Sequence, residues 1–154
     1  NTAAVARAIA AGLGPEARAL STAEATPEAL AGAELVVAGS PLFAFQLPTD
    51  AIRETIRKKS ATFAAPPDLS HPPLRAWLAA LPPGQGRAAA FETRLWWSPG
   101  GATGAILKGL ANAGYAPLAR GKRFRVVGMS GPLKAGEIER ARAWGAELAR
   151  QLRR

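Results

Sequence analysis

Cysteine is absent from this chain, and histidine and methionine occur once each. The first absence excludes disulfides, thiolate metal sites and cysteine nucleophiles. The second leaves His71 without a companion, so neither a histidine metal site nor histidine acid–base chemistry has support. Apolar residues are 48% of the total, enough for a globular core, yet no apolar run approaches the roughly 20 residues that a membrane helix needs. No signal-peptide pattern opens the sequence as given, which makes the cytoplasm the default expectation. A length of 154 residues suits a single domain spanning 1–154 with one core. Acidic residues are also scarce: 11 Asp and Glu stand against 20 Lys and Arg, for a net charge of +9. The excess is uneven, because Arg120 to Arg154 holds ten Lys and Arg against three Glu. Such a stripe attracts an acidic partner, an anionic membrane or nucleic acid, although a solvated helix face is its commoner meaning. No aromatic-interleaved basic loop accompanies it, so nucleic acid is disfavoured, and Arg140, Arg142, Arg150, Arg153 and Arg154 are expected mostly on the solvent side of the last helix.

Aromatics are sparse at 6%, which makes their clustering informative. The stretch Arg87–Gly101, RAAAFETRLWWSPGG, reads as a short buried strand, Ala88–Phe91, that stops at Glu92 and opens into a loop carrying Trp96 and Trp97. A second loop of the same kind follows Leu35-Val36-Val37-Ala38-Gly39, running through Ser40, Pro41, Leu42, Phe43, Ala44 and Phe45 to Pro48. Loops at the carboxyl ends of parallel strands converge on a crevice, so two aromatic loops in that position suggest a flat apolar ligand. The plainer alternative is that the tryptophans close over the core or meet another subunit.

Taken in order, Ala3–Leu13 places Val5, Ile9 and Leu13 on one helical face, with Thr2 as candidate N-cap. Ala17–Ser21 is weakly strand-like, and Thr26-Pro27-Glu28 fits a helix start with proline in its first turn. A helix is expected from about Thr49 with Ile52 and Ile56 inward, and another where Leu74, Trp77, Leu78 and Leu81 recur at helical spacing. Ala102–Ala113 is helical and stops at Gly114, Arg123–Met129 is a strand, and Ala135–Leu152 is a long helix burying Ile138, Ala141, Gly145, Leu148 and Leu152. Strands alternate with helices throughout, which implies a three-layer α-β-α sandwich around a parallel sheet, since parallel neighbours need crossovers. The helix that begins at its own cap suggests that a strand and turn belong upstream of Asn1.

These residues carry a resemblance. Asn1-Thr2 followed by VAxxIAxGL, the segment Leu35–Pro41, and AAFETR (Ala89–Arg94) with Gly131-Pro132-Leu133, Gly136-Glu137 and Ile138–Ala141 are together similar to the flavodoxin family of high-GC bacteria. The resemblance covers essentially the whole chain. It implies a five-stranded parallel sheet of order 2-1-3-4-5, the order for which flavodoxin is the standard example, with FMN at the switch point and the first strand absent from the given chain. It implies that Asn1 and Thr2 hold the FMN phosphate at a helix N-terminus. Ser40, Pro41, Leu42, Phe43, Ala44 and Phe45 would cover one face of the flavin, and Thr93, Arg94, Leu95, Trp96, Trp97, Ser98 and Gly101 the other. Relatives often carry a polar pair where Leu42-Phe43 stands here, so ring contacts at that point become mostly stacking. Electron-shuttling flavodoxins are typically acidic, and this chain is basic.

The function these features imply is electron transfer through bound FMN, to a redox partner protein, possibly acidic in view of the charge, or to a small-molecule acceptor. The alternatives are an FMN-dependent NAD(P)H:quinone or nitro-compound reductase, and a flavodoxin fold that has lost its flavin and serves as an interaction module. Oligomeric state is left open. Arg94 would stabilise an anionic reduced flavin by roughly 3 kcal/mol at about 6 Å and an effective dielectric near 20, giving a less negative potential. Alternatively it turns away to pair with Glu92 or solvent.

Overall fold

The computed structural model describes residues 1–42, 74–95, 97, 100–128 and 132–154. In chain order the elements are α1 (Thr2–Leu13), α2 (Pro27–Leu30), β1 (Leu35–Pro41), α3 (Leu74–Ala79), β2 (Arg87–Leu95), α4 (Thr103–Asn112), β3 (Ala116–Pro117), β4 (Lys122–Val126) and α5 (Glu137–Leu152). The helix expected near Thr49, the Pro-rich connection after it and His71 lie outside the described residues.

The sheet is built on β2. It pairs in parallel with β1 on one side, Leu35 opposite Arg87 through Pro41 opposite Thr93. On the other side β3 and β4 pair with it in parallel, one after the other. Partners differ by 29 residues along β3 (Ala88 opposite Pro117) and by 31 along β4 (Phe91 opposite Lys122), so the break between them accommodates two extra residues at one strand position. A central parallel strand is covered on both faces and reads as a continuous small or apolar run. In β2, Ala89 and Phe91 face α1 and α5 within one cluster, while Ala88 and Ala90 face α3 and α4 within another. The expected three layers follow from this alternation.

On the first face, Phe91, Phe124 and Trp144 form an edge-on row with ring centroids 6.1 and 6.2 Å apart. The Phe91 ring lies over Gly39 on the neighbouring strand, where any Cβ would overlap it. Helices α1 and α5 touch backbone to backbone, because Gly12 leaves room for the Arg142 carbonyl and Gly145 for that of Ile9. On the second face, Leu74, Trp77, Leu78 and Leu81 pack beside Ile106 and Leu110, as their spacing predicts. Trp77 Nε1 donates to Ala25 O at 2.9 Å, which ties α3 to the turn before α2.

Five expectations need correction, the last of them at the β4 edge. Ala17–Ser21 forms no strand; Ser21 instead closes a turn in which Ser21 N donates to Glu24 Oε1 and Glu24 N to Ser21 Oγ. Among the described residues no strand lies beside β1 away from β2, so this segment has no ladder to join. Strand β2 does not stop at Glu92 but runs to Leu95, paired on both sides as far as Thr93 and with β4 beyond it. Thr2 is the first residue of α1 and Asn1 its cap, with no side-chain capping bond. In α5 the inward face is Glu137, Ala141, Trp144, Gly145, Leu148 and Ala149, whereas Ile138 is exposed. Ile138 lies seven residues before Gly145 and so on the same side of the helix, but in its first turn, ahead of the contact with α1 at Arg142 and Gly145.

The outer edge of β4 is closed by side chains and by a returning segment. Arg125 N donates to Glu137 Oε2 at 2.6 Å, Lys134 N to Arg125 O at 2.8 Å and Val127 N to Pro132 O at 2.9 Å. Arg140 donates to the Arg123 carbonyl and to both oxygens of Glu137. Few backbone groups on this edge remain open to another strand. Arg140 is therefore not a free solvent-facing cation, and its guanidinium also lies 4.7 Å from the centre of the Phe124 ring. Its hydrogen bonds hold the Glu137 carboxyl below the usual glutamate range, an effect opposed by burial and reinforced by the Arg125 N–H. Arg142, Arg150, Arg153 and Arg154 are exposed, as expected.

Candidate functional site

Parallel strands deliver their carboxyl ends to one rim of the sheet, and here that rim gathers segments far apart in sequence. Thr2 in the first turn of α1 and Thr93 near the end of β2 share a hydrogen bond between their hydroxyl oxygens at 3.0 Å. Leu42 N donates to Thr93 O at 2.9 Å, which carries the β1–β2 ladder one residue past the end of β1. Asn1 makes no side-chain bond to the helix it precedes, so the first-turn N–H groups of α1 receive no acceptor from their cap. Helix start, β1 exit and β2 exit thus meet at Thr93.

The second feature is a buried charge pair. Glu92 is 0% exposed and Arg94 7%, two residues apart and so on the same face of β2. Glu92 Oε2 accepts from Arg94 Nη1 at 3.0 Å, and its Oε1 accepts from Ala102 N at 3.0 Å and Thr103 N at 3.4 Å. Those are the leading amides of α4, whose own cap residue Ala102 has no side-chain acceptor to offer. A carboxylate there satisfies orphan donors and opposes the positive end of the helix. Arg94 Nη1 also donates to Gly100 O at 2.6 Å. Both ends of the segment between Leu95 and Ala102, the tryptophan-bearing stretch, are therefore fastened to one ion pair. Of the two orientations the sequence leaves open for Arg94, pairing with Glu92 is the one found, directed inward.

Other candidate residues fall as follows. Ser40 is 2% exposed, and its hydroxyl donates to Pro41 O at 3.0 Å, so it faces the sheet interior. Pro41, Leu42 and Leu95 are half-buried at the strand ends, Gly101 is exposed, and Trp97 is 60% exposed. Phe43, Ala44, Phe45, Trp96 and Ser98 lie outside the described residues. Sequence reasoning missed Glu92 as an anchor. The available signal was the opposite charge at alternate positions of one strand, Glu92 and Arg94.

No protein-family model and no curated protein matches this sequence. Solved structures do match. A flavodoxin from the domain Archaea superposes with a TM-score of 0.63 at 17% identity, over 100% of this chain and 92% of that one. Flavodoxin 1 from Bacillus cereus gives 0.61 at 16% identity, over 95% and 87%. The chain has a flavodoxin-like fold. The same fold occurs as part of a larger chain in rubredoxin oxygen:oxidoreductase from Desulfovibrio gigas, with a TM-score of 0.58 at 15% identity over 99% of this chain and 33% of that one. In this flavodoxin-like fold, β1, β2 and the β3–β4 pair have the neighbour relations of the last three positions in the order 2-1-3-4-5. The rim at Thr93 is then the carboxyl-end rim at which open α/β sheets bind ligands. Among the described residues no helix is long and apolar enough to cross a membrane.

Proposed function

We propose that this protein binds FMN at the carboxyl-end rim and carries electrons through it. The observation that carries this reading is the Thr2–Thr93 hydrogen bond, which sets an uncapped helix N-terminus against the exit of the central strand in a flavodoxin-like fold. The residues suit the group. An uncapped first turn offers N–H groups and a positive helix end to a phosphate. Thr2 and Thr93 add hydroxyls, and Trp97 offers a large exposed ring beside the rim. Asn1 and Thr2 would hold the phosphate. Pro41, Leu42 and the aromatic residues after them would flank one side of the ring, and the stretch from Thr93 to Gly101 the other. Bound FMN supplies the electron chemistry, and the protein supplies binding, orientation and exclusion of water. The Glu92–Arg94 pair would position the second flank, acting through the backbone at Gly100 and Ala102. With Arg94 compensated by Glu92, its pull on a reduced anionic flavin is smaller than for a lone cation at the same distance.

The protein expressed from its full gene should be yellow as purified, or should quench FMN fluorescence on titration. Trp97→Ala should weaken FMN binding by an amount matching about 0.5–1.5 kcal/mol of aromatic contact. Colourless protein that neither quenches nor binds FMN would remove the electron-transfer reading and leave an interaction module of this fold. Oxidation of NAD(P)H with a quinone acceptor, at rates above free FMN, would make the protein a reductase rather than a carrier.

A further inference from the structure

At the opposite edge of the sheet from β1, a cavity of about 680 Å³ opens between Arg94, β4 and the segment leading into α5. Among the described residues its lining has six cations, Arg94, Lys122, Arg123, Arg125, Lys134 and Arg140, and one carboxylate, that of Glu137. That carboxylate is occupied: Oε1 accepts from Arg140 Nε at 2.8 Å, and Oε2 accepts from Arg140 Nη2 at 2.8 Å and Arg125 N at 2.6 Å. Arg94 is likewise compensated by Glu92. Lys122, Arg123, Arg125 and Lys134 remain, and none has a carboxylate partner among the described residues.

We infer that this cavity is a binding site for a small molecule carrying two linked phosphates, a diphosphate ester or a nucleotide. Four cations with no ion pair among the described residues, Arg125 only feeling the field of Glu137, repel one another around one concavity, and the core contact of β4 comes from Phe124. Arg123 and Arg125 are alternate residues of one strand and project to the same side, while Lys134 enters from the returning segment whose amide bonds Arg125 O. Two guanidinium forks flanked by lysines match phosphate oxygens better than single carboxylates spread over a surface. The volume falls within the roughly 300–1,000 Å³ of small-molecule sites. An acidic protein would dock on a broad face of about 800 Å² per partner, whereas these cations line one concavity of small-molecule size. Of the residues assigned to the flavin, Arg94 lines the cavity and Thr2 and Thr93 do not, so the inference goes beyond the flavin reading and rests on the four cations of β4 and the segment after it.

Titration calorimetry of the purified protein at about 0.15 M salt with pyrophosphate, inorganic phosphate and an oligoglutamate peptide tests this. Saturable pyrophosphate binding at one site, tighter than for inorganic phosphate, is expected. Arg125→Gln with Lys134→Gln should weaken it about tenfold or more. Arg142→Gln with Arg150→Gln removes the same charge from the exposed face of α5 and should leave it unchanged. Circular dichroism checks folding, and Lys122→Gln serves if the first pair does not fold. Absence of binding, equal weakening by both pairs, or tighter binding of oligoglutamate would overturn the proposal. So would displacement of pyrophosphate by saturating FMN, which would place it in the flavin's phosphate site instead.

Discussion

Arg94 and Glu92 hold one another in the interior, and removing one leaves the other charged and unpaired. Arg94→Ala should destabilise the protein by about 3–5 kcal/mol, the usual consequence of breaking a buried pair from one side. Glu92→Gln combined with Arg94→Ala should cost less than the two single changes summed, because they share one interaction. Urea midpoints of the three variants measure this; strict additivity would mean that the pair is not coupled. Glu137 offers a pH test. Its carboxyl is held below the ordinary range by Arg140, so the stability it contributes is fully present above the unfolded value of about 4.3 and is lost as pH falls through the lower folded value. The stability gap between wild type and Glu137→Gln should therefore be constant from neutral pH down to about 5 and should narrow progressively as pH falls below about 4. A gap that does not narrow in acid would assign the contribution to shape rather than charge.

Among the elements, the α1–α5 contact has the least room for change. A Cβ at Gly145 would overlap the carbonyl oxygen of Ile9, and one at Gly12 that of Arg142. Backbone atoms cannot swing aside as a side-chain tip can, so Gly145→Ala should cost about 1–3 kcal/mol as overpacking. Arg142→Ala, exposed one turn earlier, should change stability by less than about 0.5 kcal/mol. Thermal melts of the two variants decide between a spacing requirement and a merely helical one: equal melting temperatures would show that α1 and α5 can separate without loss. Because α1 carries Thr2 to Thr93, a shifted α1 should also weaken any ligand at the rim.

For the molecule as a whole, two apolar clusters lie on opposite faces of β1 and β2, one centred on Phe91, Phe124 and Leu148 and the other on Ala90, Ile106 and Leu110. Neither face can open without exposing the other side of the same backbone. Phe124→Ala should cost about 3–5 kcal/mol and Ile106→Ala about 2–5 kcal/mol, each by shifting one common unfolding transition. Tryptophan fluorescence and far-ultraviolet circular dichroism should report coincident midpoints in both variants. Two separated transitions would mean that the faces unfold independently.

Local pattern by itself determined the positions of β1, β4, α1, α3, α4 and α5, because helical spacing and short small-residue runs are readable within a dozen residues. It also exposed the excess positive charge, though not where that charge converges. Tertiary structure alone decided the rest. Glu92-Thr93-Arg94 reads as a polar exit from a strand, yet it is buried strand, because pairing with β4 throughout and with β1 as far as Thr93, together with a mutual ion pair, satisfies groups that solvent would otherwise claim. Ala17–Ser21 has strand-like residues but, among the described residues, no adjacent ladder. Trp144 is buried and Ile138 exposed although both fall on the apolar side of α5, because α1 packs at Arg142 and Gly145, past the first turn. The basic cavity joins Arg94 to residues 121–140. No local window contains that convergence, since a charge's partners are set by which strands lie side by side and not by its neighbours in sequence.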